Sequence, residues 1–438
     1  MALSEPALAA GMELVGEYED SGYREPPHLV CRPDGQIVRL PALLYQVVRA
    51  LNAPPAREGV VAEVAERLSR ETGRQFTSEH VAFLIDKKLA PLGLTTYSDG
   101  SPPPPTERKD PFLSFRFRLA VLPERATWVL SGLFAWLFRP VLVIAALGAF
   151  AGGEVWLWTT QDTGAALQHV LSSPASVLLI VLLAIASCVF HEMGHGAACR
   201  YGGVRPGEMG CGIYLVWPAF YTDITSSYRL GRAGRVRADL GGVYFNALFV
   251  LGLLALYTAT GSPLLLVAIL SVHLEMIQQL LPTLRFDGYY IIADLVGIPD
   301  LFKYIGPILK RVVLRRPEDE RLRALKRRPQ IVVAVWVLFL VPALVLQLGW
   351  VLVNMPRLIR ADWQAIELLL RNAGTSGYPV LGTVAASLQI VLLTLPIVGL
   401  TLALALPLRA LLRRAFHRRP APGRETSRGA VPARTPEA

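Results

Sequence analysis

A chain of 438 residues that is 53% hydrophobic and 18% charged, with a mean hydropathy of +0.41, is too apolar for an ordinary soluble enzyme. The formal charge of +10 raises the idea of nucleic acid, but the Lys and Arg residues cluster beside apolar runs, as in loops on the cytoplasmic side of a membrane, so no nucleic-acid partner is expected. Cys31, Cys188, Cys199 and Cys211 form neither a CxxC pair nor a disulfide-like framework, and Met1–Asp20 lacks the basic start and compact apolar core of a signal peptide.

Residues 1–22 read as an N-terminal tail, followed by a compact soluble unit over 23–97. His28–Leu40 alternates around Pro33-Asp34-Gly35, a turn signal that predicts a β-hairpin. Three amphipathic helices follow: one carrying Leu43, Val47 and Leu51, one carrying Val60, Val64 and Leu68 and stopped by Gly73, and one running from a Thr77/Ser78 cap to Leu89. A strand pair with three helices fits a small winged-helix-like α+β domain. The last of these helices mixes Lys87 and Lys88 with Glu79 and Asp86, which is not a stripe aimed at phosphates.

Residues 98–111 form a proline-rich linker, a semi-rigid spacer. Residues 112–139 mix aromatics with Arg116, Arg118, Arg125 and Arg139, as an interfacial helix would. Over 140–412, six apolar segments are long enough to span a bilayer: Pro140–Trp158, Ala175–Cys199, Val236–Ala259, Leu264–Leu284, Ile331–Val353 and Thr383–Leu408. Their basic flanks fall on one side, which predicts N and C termini in the cytoplasm, with Met355–Gly382 a loop on the far side and Asp287–Pro299 able to re-enter. Residues 413–438 read as a basic disordered tail. The expected architecture is a polytopic α-helical membrane protein of about six transmembrane helices with a small soluble N-terminal domain, in contact with lipid in the cell membrane.

The second span ends in His191-Glu192-Met-Gly-His195. Four residues apart on a helix, His191 and His195 share a face and can reach one metal ion, while Glu192 stands one step round as a general base. Ionisable groups in an apolar segment are expensive and usually functional. Two imidazoles and a carboxylate make a catalytic Zn²⁺ set. The candidate third ligand is Asp287, which follows an apolar helix and Pro282, with Gly288 expected to give the backbone freedom to turn that carboxylate inward. Asn246, on the third span after Gly241 and Gly242, needs an interhelical hydrogen bond, either as packing or lining the site. Gly210–Thr225 reads as one or two extended segments, an edge against which an unwound substrate can pair; within it Asp223 is either a loop cap or an auxiliary polar group. His273 reads as an interior hydrogen-bonded histidine or a proton relay.

His191-Glu192-x-x-His195 together with Gln279-Leu-Leu-Pro282-Thr-Leu-Arg-Phe286-Asp287-Gly288 resembles the site-2-type intramembrane metalloproteases. That family pairs HExxH on one membrane helix with Asn-x-x-Pro-x-x-x-Leu-Asp-Gly on another. The resemblance implies Asp287 as third zinc ligand and a supporting role for Gln279, which replaces the family's Asn as Phe286 replaces its Leu. Leu240-Gly241-Gly242 with Asn246 is similar to the family's glycine-rich entry, and Phe286–Tyr290 with Ala293-Asp294 resembles its peptide zinc metalloprotease branch. The N-terminal element order resembles PqqD-like domains, or RiPP recognition elements, which hold the leader of a ribosomally made peptide as an added strand; a regulatory winged helix or a membrane-side cap is the other reading. The implied activity is zinc-dependent cleavage of a peptide bond near the cytoplasmic face, in maturation or leader removal of such a peptide. The alternatives are release of a membrane-anchored signalling protein, or a non-catalytic partner of a peptide exporter, against which Glu192 argues.

Overall fold

The computed structural model describes residues 5–52, 59–105, 117–171, 174–214, 217–373 and 379–416. Of the expected tail over 413–438, residues 413–416 instead end a helix, and the rest, with the linker and interfacial residues 106–116, lies outside the described residues.

Three antiparallel strands, β1 (Glu13–Glu17), β2 (His28–Cys31) and β3 (Ile37–Leu40), form one sheet in that order. The predicted turn joins β2 to β3: Gly35 takes φ +77°, and Asp34 accepts a hydrogen bond from the Gln36 amide. Helices α1 (Ala42–Leu51), α2 (Val60–Thr72) and α3 (Ser78–Leu84) cover the sheet. Gly73, at φ +68°, ends α2, and Thr77 caps α3 in a reciprocal pair with His80. The third predicted helix does not stay α-helical to Leu89, because its last turn, Ile85–Leu89, widens to a π-turn. Val30, Leu40, Val47, Leu68, Val81 and Leu89 meet in the core of this unit.

The expected 1–22 tail is corrected by β1. Glu13–Glu17 has acids at both ends and a bulge between Leu14 and Gly16, so its alternation is weak and only its pairing with β2 reveals it as a strand. The residues between β1 and β2 then run across the helical part of the molecule, described below.

The 112–139 segment is not a single helix. It supplies β4 (Phe117–Leu122), then α4 (Glu124–Phe134). Strand β4 pairs with β5 (Met209–Tyr214), which pairs with β6 (Trp217–Thr222), giving a second antiparallel sheet in the order β4-β5-β6. Gly210 permits this pairing, since a Cβ there would collide with the Leu119 carbonyl. Pro218, lacking an N–H, is tolerated because β6 is an edge.

The remainder is helical: α5 (Pro140–Thr160), α6 (Thr163–Leu171), α7 (Pro174–Tyr201), α8 (Arg232–Thr260), α9 (Pro263–Leu280), α10 (Asp287–Val296), α11 (Ile305–Val312), α12 (Glu320–Arg323), α13 (Arg327–Ala373) and α14 (Pro379–Phe416). Among the described residues, six are long and apolar enough to cross a membrane: α5, α7, α8, α9, α13 and α14. Helix α8 is the most buried of them and α5 the least, with Val141 and Ile144 on the outside. Met355–Gly382, expected as a loop, continues α13 as helix to Ala373. At 47 residues, and about 70 Å at 1.5 Å per residue, α13 exceeds the roughly 30 Å of a bilayer's hydrocarbon.

Helices α7 and α8 touch backbone to backbone. A Cβ at Gly194 would overlap the Gly241 carbonyl, and one at Gly241 would sit 2.5 Å from the Gly194 carbonyl oxygen. Small residues at a crossing let helices approach this closely, and the crossing falls within the His191–His195 turn.

Candidate metal and catalytic site

The glycine crossing brings α8 side chains and carbonyls against the two histidines. His191 Nδ1 lies 3.1 Å from Asn246 Oδ1, and His195 Nδ1 lies 2.8 Å from the Ala238 carbonyl oxygen. Both partners are acceptors, so each Nδ1 carries the proton and donates it. With the proton on Nδ1, a neutral ring presents a bare Nε2 lone pair, the form that binds a metal. Such outer partners fix the tautomer and orientation of metal-binding imidazoles.

Asp287, first residue of α10, completes the group. Its Oδ2 is 3.1 Å from His191 Nε2 and 3.5 Å from His195 Nε2, and the two Nε2 atoms are 3.2 Å apart. All three residues lie within one cluster of metal-capable atoms. Three acceptors facing one another repel unless a cation joins them, and Asp287 Oδ2 is buried with no hydrogen-bond partner. For bonds of about 2.0–2.1 Å, the corners of a tetrahedral zinc site stand roughly 3.3–3.4 Å apart. The observed separations match that spacing, so these residues fit zinc.

Glu192, half-buried on the turn between the histidines, is held through its backbone: Thr222 Oγ1, at the end of β6, donates to the Glu192 carbonyl at 2.9 Å. At the other end of the hairpin, the Arg285 amide donates to Tyr214 Oη at 3.1 Å, and the Tyr214 and Phe286 rings lie 5.5 Å apart. The β5–β6 hairpin is therefore fastened both to the histidine helix and to the loop leading to Asp287. Arg285 is itself held by Asp300 at 3.1 Å.

Gly288 serves differently from its expected role. It is not in the left-handed region; instead a Cβ there would overlap the Leu280 carbonyl, so glycine lets the start of α10 close against the end of α9. Asp223 is not brought to the group. Its Oδ1 accepts from the Thr225 amide at 2.9 Å and from the Thr225 hydroxyl, so it caps the turn after β6. Gln279 is half-buried in the last turn of α9, and the bonds described at the histidines run to Asn246 and Ala238 rather than to it. His273 pairs with Glu154 of α5 at 2.8 Å, away from the metal group.

Further residues support the group; of these Gly242 and Asp294 stood in sequence motifs, while Ala238, Arg235 and Tyr18 carried none. The Ala238 carbonyl is backbone, invisible to side-chain patterns. Gly242 packs under His191, where any Cβ would overlap the imidazole. Arg235 of α8, fully buried, donates from Nε to Asp294 Oδ1 of α10 at 3.1 Å, and Tyr18 donates to the same oxygen at 3.2 Å. Burial, followed by the Asp294 carboxylate, pushes the Tyr18 phenol well above its usual range, so it stays a donor. Burial also raises the Asp294 carboxyl, with Arg235 pulling it back.

Two imidazoles, a carboxylate and an adjacent glutamate on apolar helices make the chemistry of a metallopeptidase. A curated protein of Bacillus subtilis (strain 168) named "Putative peptide zinc metalloprotease protein YydH" is similar to this chain, at 27% identity over 130 residues. The match covers 29% of this chain, which spans about half (51%) of that relative's length. No family model and no solved structure matches. The likeness is distant and supports a zinc metalloprotease class.

Proposed function

We propose that the chain is a zinc-dependent intramembrane endopeptidase of the site-2 type, cutting near the cytoplasmic face of the cell membrane. The observation that carries this reading is the convergence of His191, His195 and Asp287 beside Glu192 at one end of spanning-length helices. Zinc, when bound there, polarises the peptide carbonyl and makes water a better acid. Glu192 takes a proton from the attacking water and returns it to the leaving amine. Asn246 and the Ala238 carbonyl keep both Nε2 atoms aimed at Asp287.

Among the described residues, β6 has no strand on its outer side, and its last residue is bonded to the Glu192 backbone. A peptide added along that edge lies beside the base, in the strand-addition mode. An unwound substrate also suits cleavage, since a helical peptide keeps its carbonyls occupied by its own hydrogen bonds. The N-terminal sheet with its three helices supports a winged-helix, PqqD-like reading in which a leader peptide is held. The substrate class that fits is a ribosomally made precursor peptide, and the basic flanks of the spans support cytoplasmic termini.

The test is co-expression with candidate precursors, reading cleavage by mass spectrometry for wild type and Glu192→Gln, beside a membrane-anchored regulator as competing substrate. Glu192→Gln is expected to keep zinc and lose cleavage. Processing by that variant overturns the mechanism, and cleavage of the regulator alone moves the substrate class to signalling proteins.

A further inference from the structure

Between β1 and β2 the chain leaves the N-terminal unit and lies across the helices that build the metal group. Tyr18 is buried, with its hydroxyl on Asp294 and its ring 4.4 Å from the Arg235 guanidinium carbon. Arg235 also donates to the Glu19 carbonyl at 3.2 Å and to the Leu230 carbonyl at 2.7 Å. The Gly22 amide donates to the Gly297 carbonyl, and the Lys326 amide to the Gly22 carbonyl. Gly22 and Gly297 are both required to be small: a Cβ at Gly22 would overlap the Val296 carbonyl, and one at Gly297, already at φ +68°, would sit 2.5 Å from the Asp20 carbonyl oxygen. Outside this seam, Glu13 of β1 forms a two-pronged ion pair with Arg229. The segment is built in, not laid on.

What it touches matters more than how firmly. Arg235 stands one helical turn before Ala238, whose carbonyl orients His195. Asp294 stands two turns after Asp287, on the same helix and face. The Arg235–Asp294 pair thus joins the helix that orients both histidines to the helix that carries the third ligand. Asp239, buried beside Ala238, faces Asp294 as well. A fully buried ion pair holds its geometry only if its remaining donors and lone pairs are satisfied, and Tyr18 and the Glu19 carbonyl supply two of those bonds.

Resting on the metal-site reading above, we infer that Tyr18 is a positioning residue of the metal site: it acts through Asp294 and Arg235 to keep Asp287 at ligand distance from His191 and His195. The N-terminal unit is then part of what holds the metal, besides anything it recognises. Outer partners of metal ligands change affinity by about 10–100-fold when removed. Tyr18 is one bond further out, so the expected loss is about three- to tenfold.

The experiment uses the full chain purified in detergent. Zinc affinity is measured by chelator competition, and ligand geometry by the visible spectrum of the Co²⁺-substituted protein, for wild type, Tyr18→Phe, Asp294→Asn and a control in the same unit, Tyr45→Phe. Tyr18→Phe is expected to stay folded but to bind zinc three- to tenfold more weakly with an altered Co²⁺ spectrum, while the Tyr45→Phe protein stays at wild-type values. Asp294→Asn is expected to lose more; if it does not fold, Tyr18→Phe decides alone. Zinc affinity and spectrum unchanged in Tyr18→Phe overturn the inference while leaving the metal site standing. A wild-type chain that binds neither ion overturns the metal-site reading itself.

Discussion

His191 Nδ1 and Asn246 Oδ1 lie 3.1 Å apart across the α7–α8 crossing, so a buried amide on one helix decides which nitrogen of a histidine on another stays free. Replacing the amide with Asn246→Leu leaves Nδ1 without its acceptor and the ring free to turn. Zinc affinity is expected to fall about 10–100-fold by chelator competition. Asn246→Asp, which keeps an acceptor, is expected to retain most of it; equal loss in both variants would assign Asn246 to packing.

Gly242 offers a contrast within one helix. A methyl there would overlap the His191 imidazole, whereas a Cβ at Gly252, on the same α8, meets nothing within 4 Å. Gly242→Ala is expected to abolish zinc uptake, measured as metal content of the purified protein. Gly252→Ala is expected to bind at wild-type affinity, since alanine favours a helix over glycine by about 1 kcal/mol.

The two aspartates singled out by the sequence should separate cleanly. Asp287→Asn removes the anionic ligand and is expected to lose zinc and cleavage together. Asp223→Ala removes a turn cap, and the expected outcome is retained zinc with stability lowered by about 0.5–2 kcal/mol, read as a shift in thermal unfolding.

Thr222→Val breaks the bond between β6 and the Glu192 carbonyl while keeping the shape of the side chain. Under the strand-addition proposal, KM for a peptide substrate should rise several-fold with zinc affinity unchanged. A change in zinc affinity of the same size would place Thr222 with the metal supports instead.

What could be read from the chain was whatever repeats or spaces itself. Apolar runs set six helices of spanning length, and the four-residue step from His191 to His195 set a shared face. The Pro33-Asp34-Gly35 turn and Gly73 were legible because their backbone demands are local. Strand β1 was not, since five residues with a bulge carry almost no alternation, and β4 was not, since its pairing with β5 joins residues some ninety positions apart. Gly288 was singled out for conformational freedom, yet its use is close approach to Leu280, a distinction only the partner backbone can make. Arg235, Asp294 and Tyr18 form no spacing at all. They meet because three separate elements cross there.

The seam from Tyr18 to Gly22 also bears on how a substrate would be measured out. Had the N-terminal sheet been joined to the helices only through the proline-rich linker, a peptide held on it would sample the metal group by diffusion, and spacing along that peptide would matter only weakly. With the segment between β1 and β2 anchored on α8 and α10, the stretch between a held segment and the scissile bond must bridge a span set by the protein. For a peptide gripped on that sheet, lengthening or shortening the intervening residues would move the cut along the sequence or forbid it, making length itself an element of the recognition code.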